Sequence, residues 1–144
     1  MGVSRPVLEN VDVQQLQENR RVVIERVKEM GGKYRTEEDW ETGEATEIIE
    51  LEGLDINDDM LEDIHFAHLT DLKELDLSGN QIVHVTPLAT LTGLKHLSLQ
   101  NNQIVDFGPL KSLVQLTTIG LRYNQKVDVC ALEYLTHLKQ LYLQ

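Results

Sequence analysis

LKELDLSGNQIVHVTPLATLTG (residues 72–93) runs straight into LKHLSLQNNQIVDFGPLKSLVQ (94–115) and then into LTTIGLRYNQKVDVCALEYLTH (116–137). The pattern starts a fourth time at Leu138 with LKQLYLQ. The period is 22 residues and the columns agree. One column holds Leu72, Leu94, Leu116 and Leu138, the next Leu75, Leu97, Ile119 and Leu141, the next Leu77, Leu99, Leu121 and Leu143. Asn80, Asn102 and Asn124 form a polar column. Beyond them come Val85/Phe107/Val129, Leu88/Leu110/Leu132 and Leu91/Leu113/Leu135. Self-similarity at a fixed period of this length is the mark of a repeat architecture.

One copy alone has no core. Its apolar side chains must lie against those of the next copy, which makes the units stack as a solenoid. The alternating x-L-x-L-x part predicts a short strand with its leucines inward. Stacking sets these strands side by side, in parallel, as one curved sheet. Apolar residues at every third position suit a return leg of 3₁₀ or loose helix. Pro87 and Pro109 begin that leg, where a missing N–H is tolerated. In the turn after each strand, backbone groups point inward without a sheet partner. A buried carboxamide both accepts and donates there, which gives the asparagine column its physical reason.

The pattern LxxLxLxxNxI, met by Leu72-Leu75-Leu77-Asn80-Ile82 and Leu94-Leu97-Leu99-Asn102-Ile104, resembles the leucine-rich repeat family. The repeat length and the xPLxxLxxL leg are similar to internalin-type bacterial repeats and to the related phosphatase-regulator class. The resemblance covers about the C-terminal two-thirds of the chain. It implies an α/β solenoid with a parallel β-sheet on the concave face, 3₁₀ or helical return legs and an N-terminal helical cap. It says almost nothing about function. The third copy departs once: Lys126 stands where Ile82 and Ile104 stand, which predicts a local bulge with the lysine head in solvent.

The expected organisation is a cap and connecting segment over residues 1–47 and repeats over 48–144. The repeats divide into a divergent first unit (48–71), the three regular units (72–137) and a partial unit (138–144). Pro6 and the Gly31-Gly32 pair bound a helix over residues 6–30. Val13, Leu16, Val23, Val27 and Met30 fall near helical spacing, which suits a helix laid over the open end of the first repeat. A helix that binds a partner or dimerises is the alternative. KYRT (33–36) reads as a short strand and the acidic stretch 37–43 as a loop, with Trp40 packed against the cap. Aligning IIELEGLDI (48–56) with ELDLSGNQI (74–82) puts Ile49 and Leu51 on Leu75 and Leu77, Gly53 on Gly79, and Leu54 at the asparagine place. A rival register uses Leu54 and Ile56 as the strand; the glycine match favours the first. The longer leg that results has room for a helix over Asp59–Leu69, with Met60, Leu61, Ile64, Phe66 and Leu69 partly inward.

The chain has 144 residues, 41% of them hydrophobic, and a formal net charge of −11. That balance opposes nucleic acid or an anionic membrane as a partner, since both need a basic surface. Cys130 is the only cysteine, so no disulfide framework exists, and its place on the return leg reads as small and buried. No apolar run is long enough for a membrane span and residues 1–30 hold no continuous signal core. Met1-Gly2 is followed by Pro6 where myristoylation needs Ser or Thr. A cytoplasmic location is the expectation, although internalins are usually exported and a leader ahead of this chain would change it.

Chemistry is sparse. Asp55-Ile-Asn57-Asp-Asp59 resembles the opening of an EF-hand loop, but Met60 replaces the required glycine and Phe66 the closing glutamate. His65 and His68 lie at i, i+3 without a third metal ligand. No phosphate loop, nucleophile elbow or paired-cysteine motif appears. No catalytic residue, metal or cofactor is expected, and the chain reads as no enzyme.

The repeat architecture turns the residues between the inward leucines to the concave face. The first row is Ile48, Glu74, His96, Thr118 and Gln140; the second Glu50, Asp76, Ser98, Gly120 and Tyr142; the third Glu52, Ser78, Gln100, Arg122 and Gln144. Gly79, Asn101 and Tyr123 follow on the rim. Carboxylates gather at one end, arginine and tyrosine at the other, the latter being types enriched at binding hot spots. The candidate protein-binding residues are Glu50, Glu52, Glu74, Asp76, His96, Gln100, Arg122, Tyr123 and Tyr142. The favoured function is a protein-interaction module whose concave face takes another protein, in particular a basic segment. The alternatives are a structural piece that self-associates through the exposed C-terminal repeat, and a regulatory or targeting domain of a larger protein or enzyme.

Overall fold

The Asn80 amide explains why one turn of chain sits on the next. Its Oδ1 accepts from the N–H groups of Leu54 and Ile56, both at 3.0 Å. Its Nδ2 donates to the carbonyls of Leu51 and Leu77, both at 2.9 Å. Asn102 repeats the arrangement one unit on, accepting from Ile82 and donating to Leu77 and Leu99. Asn124 does so again with Ile104, Leu99 and Leu121. Each asparagine thus serves the turn of the unit before it, so the first unit has its polar groups met by Asn80 while Leu54 fills its own asparagine place.

The computed structural model describes residues 5–125 and 129–143, with side chains from residue 13 onward. Its elements are α1 (Arg5–Glu29), β1 (Lys33–Glu38), β2 (Ala45–Glu50), α2 (Asp58–Ile64), β3 (Leu72–Asp76), β4 (His96–Ser98), β5 (Thr118–Gly120) and β6 (Gln140–Tyr142). Among the described residues these strands form one sheet in chain order. β1 runs antiparallel to β2 and every later pairing is parallel. Ile49, Leu75, Leu97, Ile119 and Leu141 lie side by side on successive strands. Leu51, Leu77, Leu99 and Leu121 follow on the next rungs, each donating its N–H to the neighbouring strand at 2.8–2.9 Å. The return legs contain 3₁₀ turns at Thr86–Leu88, Gly108–Ser112 and Cys130–Tyr134.

The register of the first repeat is the one that matches the glycines. Gly53 and Gly79 both hold φ near +68°, at +67° and +68°. In the same column Asn101 and Tyr123 adopt φ +58° and +57°. The long return leg is not one helix. Asn57 caps α2 by accepting from Met60 N–H, and His65 in the left-handed region ends it at Ile64. A 3₁₀ turn over Phe66–His68 follows. Leu61, Ile64, Phe66 and Leu69 are buried as expected.

Among the described side chains of α1, those of its C-terminal half cover the open end of the stack. Val23 and Val27 are fully buried in the common core, and Ile24 and Met30 pack on it. Burying that valine pair contributes about 3–5 kcal/mol. Val13 and Leu16 are exposed, against the expected stripe, because the helix outruns the single repeat it can cover. The chain turns at Gly32, where any Cβ would sit 2.4 Å from Leu51 Cδ2 and 2.9 Å from the Val27 carbonyl. Only glycine lets the helix end approach β2 so closely.

Two further expectations are corrected. Trp40 does not pack on the cap: β1 pairs back onto β2, so residues 39–44 become a hairpin tip with no core beneath it, and Trp40 is 89% exposed. Cys130 is exposed rather than buried, because it opens a return leg at a position where Thr86 also faces solvent. The bulge expected at Lys126 and the concave place of Gln144 lie outside the described residues.

Candidate interaction face

Strand alternation turns every second side chain away from the leucine interior. Glu74, His96, Thr118 and Gln140 stand next to one another across β3–β6. Asp76, Ser98, Gly120 and Tyr142 form the neighbouring row. All of them but Gln140 line a shallow trough of about 450 Å³ on the concave side. Of the candidate residues, Glu50, Glu74, Asp76, His96, Gln100, Arg122 and Tyr142 line it. Glu52 and Tyr123 lie outside the trough: Glu52 borders a separate depression with Lys33 and Leu54, and Tyr123 stands exposed.

Each end of the trough has its own chemistry. At the first end Arg35 of β1 bonds Glu50 at 3.1 Å and also pairs with Glu37. Arg35 sits opposite Ile48 across the hairpin, which explains why Ile48, although on the concave row, is buried. Glu74 Oε1 lies 4.0 Å from His96 Nε2. Asp76 accepts from Ser78 N–H at 2.9 Å and from its hydroxyl at 2.6 Å, which holds the turn and buries Ser78. At the far end the Arg122 guanidinium lies 5.2 Å from the Tyr142 ring centre. Between the two ends the floor dips at Gly120, where a Cβ would stand 3.2 Å from Gln100 Oε1.

Arg35 is not among the residues that the repeat columns pick out. Its signal was present: once 39–44 is a hairpin turn, alternation along KYRTEE puts Arg35 and Glu37 on the concave side. Among the described residues no group of three or more His, Cys, Asp or Glu is placed to hold a metal ion, and no helix is long and apolar enough to cross a membrane.

This geometry, a parallel sheet of stacked leucine turns with an asparagine ladder, agrees with comparison to known proteins. A sequence model for the leucine rich repeat matches residues 49–104, and one for two leucine rich repeat copies matches residues 92–134. The chain belongs to the leucine-rich repeat family, and its repeats are internalin-like. The crystal structure of internalin C2 from Listeria monocytogenes is 38% identical over 55% of this chain, with a TM-score of 0.50. A second internalin from that organism is 25% identical over 54% of the chain and 30% of its own length, with a TM-score of 0.45. The leucine-rich repeat ectodomain of the receptor kinase SOBIR1 from Arabidopsis thaliana is 21% identical over 75% of the chain and 63% of its own length, with a TM-score of 0.46. The chain spans 37% of the length of internalin C2. No curated protein sequence matches it significantly. Domains of this family generally mediate protein–protein interaction and are typically non-enzymatic.

Proposed function

We propose that the chain is a non-catalytic interaction module whose concave face binds a basic segment of another protein. The observation that carries this is the charge distribution. Residues 30–76 hold 16 acidic and 3 basic residues, whereas the whole chain is −11, so the excess negative charge sits entirely in the cap junction and first units. Glu50 and Glu74 bring part of it into the trough. A field of one sign at one end of a concavity steers a partner of opposite sign and fixes its direction. Arg122 and Tyr142 at the other end supply side chains of the kind that anchor interfaces.

The test is a titration with a capped octapeptide of alternating arginine and glycine at low and moderate salt. Glu50→Lys with Glu74→Lys should weaken binding about tenfold or more and flatten its salt dependence. Asp76 is left in place because it holds its own turn. Binding that is unchanged in the folded double variant removes the reading.

A further inference from the structure

The β1–β2 hairpin tip carries a side chain that neither the core nor the trough uses. Trp40 is the only tryptophan in the chain. Its support is ordered. Asp39 N–H donates to the Glu44 carbonyl at 2.8 Å, and Gly43 N–H returns to the Asp39 carbonyl at 2.7 Å. The Asp39 carboxylate accepts from the N–H groups of Glu41 and Thr42 at 2.8 and 2.9 Å. The indole therefore projects into solvent from a fixed turn, and folding gains nothing from it. Tryptophan is among the side chains most enriched where interfaces are strongest, and presentation on a rigid support lowers the ordering cost of binding.

What surrounds the indole selects its partner. Glu37, Glu38, Glu41 and Glu44 flank it, and no lysine or arginine occurs between Arg35 and Lys73. Arg35 itself is held by Glu37 and Glu50. A tryptophan face attracts a cation, and carboxylates around it favour the same charge. The tip is also continuous with the trough. Arg35 lines the trough, and Trp40 follows five positions further along the chain, just past the end of β1 at Glu38, so at most roughly 17 Å separates the two backbones.

We infer that Trp40 is a cation-stacking anchor for an arginine or lysine side chain of the basic segment that the acidic end of the trough receives. This rests on the binding of a basic segment proposed above and adds a contact beyond the trough. An extended segment of about six residues would reach from Glu50 to the indole. A membrane surface does not fit the same tip, since its carboxylates would repel anionic headgroups.

Trp40 reports on the contact directly, as the sole tryptophan fluorophore. The capped arginine–glycine octapeptide is titrated into the full chain, with a glutamate–glycine peptide of equal length as control. The emission should shift saturably with the first peptide and not with the second. By calorimetry, Trp40→Ala should weaken binding about three- to fivefold and Trp40→Phe less. Neither substitution touches the core, so both variants should fold. If Trp40→Ala binds as tightly as the parent while Glu50→Lys/Glu74→Lys weakens, the anchor is overturned and the trough reading stands. If binding needs Trp40 but ignores the charge reversal, the anchor stands and the trough reading falls. No binding of the arginine peptide overturns both.

Discussion

Arg20 of α1 and Glu47 of β2 meet as a two-pronged ion pair beneath the helix. Arg20 Nη1 donates to Glu47 Oε2 at 3.1 Å and Nη2 to Oε1. The Tyr34 hydroxyl donates to the same carboxylate at 3.2 Å. Glu47 is only 9% exposed, so its charge depends on these partners. The helix is thus fixed by a directional polar contact as well as by Val23 and Val27.

Glu47→Ala should therefore destabilise the chain by about 1–3 kcal/mol, since it strands a half-buried guanidinium and a tyrosine hydroxyl. Urea unfolding of Glu47→Ala, Arg20→Ala and the double variant measures the coupling. The double variant should lose less than the two single variants added together. Strict additivity would show that the pair contributes nothing.

The asparagine ladder predicts a graded series. Asn102→Ala strands the Ile82 N–H and takes from the Leu77 and Leu99 carbonyls one of the two amide donors each has, the other coming from Asn80 and Asn124. It should cost about 1–3 kcal/mol. Asn124→Ala should cost less, because Asn124 is half-buried and water can replace the amide. Equal losses in chemical denaturation would contradict the role of burial in that difference.

What was legible in the sequence follows from what the repeat enforces. The leucine and asparagine columns fix parallel register, so Leu77, Leu99 and Leu121 could be placed on adjacent rungs from spacing alone. The concave rows follow from the same register, and Glu74, His96, Asp76 and Tyr142 stand where alternation puts them. Legibility fails where contacts are not periodic. The pairing of Arg20 with Glu47 joins residues far apart in a stretch without repeats. For Trp40 hydrophobicity alone argues for burial, whereas the antiparallel return of β1 onto β2 leaves its turn outside every packed layer. Ser78 sinks because Asp76 pulls it down, a local hydrogen bond that column alignment does not show.

Stability should fall on acidification through the Asp58 contact. Burial pushes the Asp58 carboxyl up, but the N–H groups of Val83 and His84, with the His84 ring, outweigh it and hold the group below its ordinary range. A carboxyl depressed in the folded state stabilises fully above about pH 4 and loses that contribution as the pH falls through its folded value. The melting temperature should drop below about pH 4, and Asp58→Asn should flatten part of that drop while lowering the melting temperature at neutral pH. Asp39, depressed by the backbone N–H groups of Thr42 and Glu41, adds to the same trend, so Asp39→Asn serves as the second arm. Parallel pH profiles for Asp58→Asn and the parent would remove Asp58 from the effect.

Gly53, Gly79, Asn101 and Tyr123 share one backbone conformation at equivalent turns, and the last has the largest side-chain penalty for it. A bulky residue at φ +57° is strained by about 1–2 kcal/mol relative to glycine. Tyr123 is 66% exposed, so little burial offsets that strain. Tyr123→Gly should accordingly leave unfolding stability unchanged or raise it, by up to about 1 kcal/mol. Gly79→Ala should do the reverse, losing about 1 kcal/mol from conformation alone, because its Cβ would meet only ordinary contacts at 3.6 Å from Gly53 N. Gly79→Asn should lose less, since asparagine tolerates this region. Strain retained at an exposed aromatic points to use of the side chain rather than to folding. The same Tyr123→Gly variant should then bind the arginine–glycine peptide more weakly while melting no lower. A loss of stability together with unchanged binding would mark Tyr123 as part of the scaffold and remove it from the candidate face.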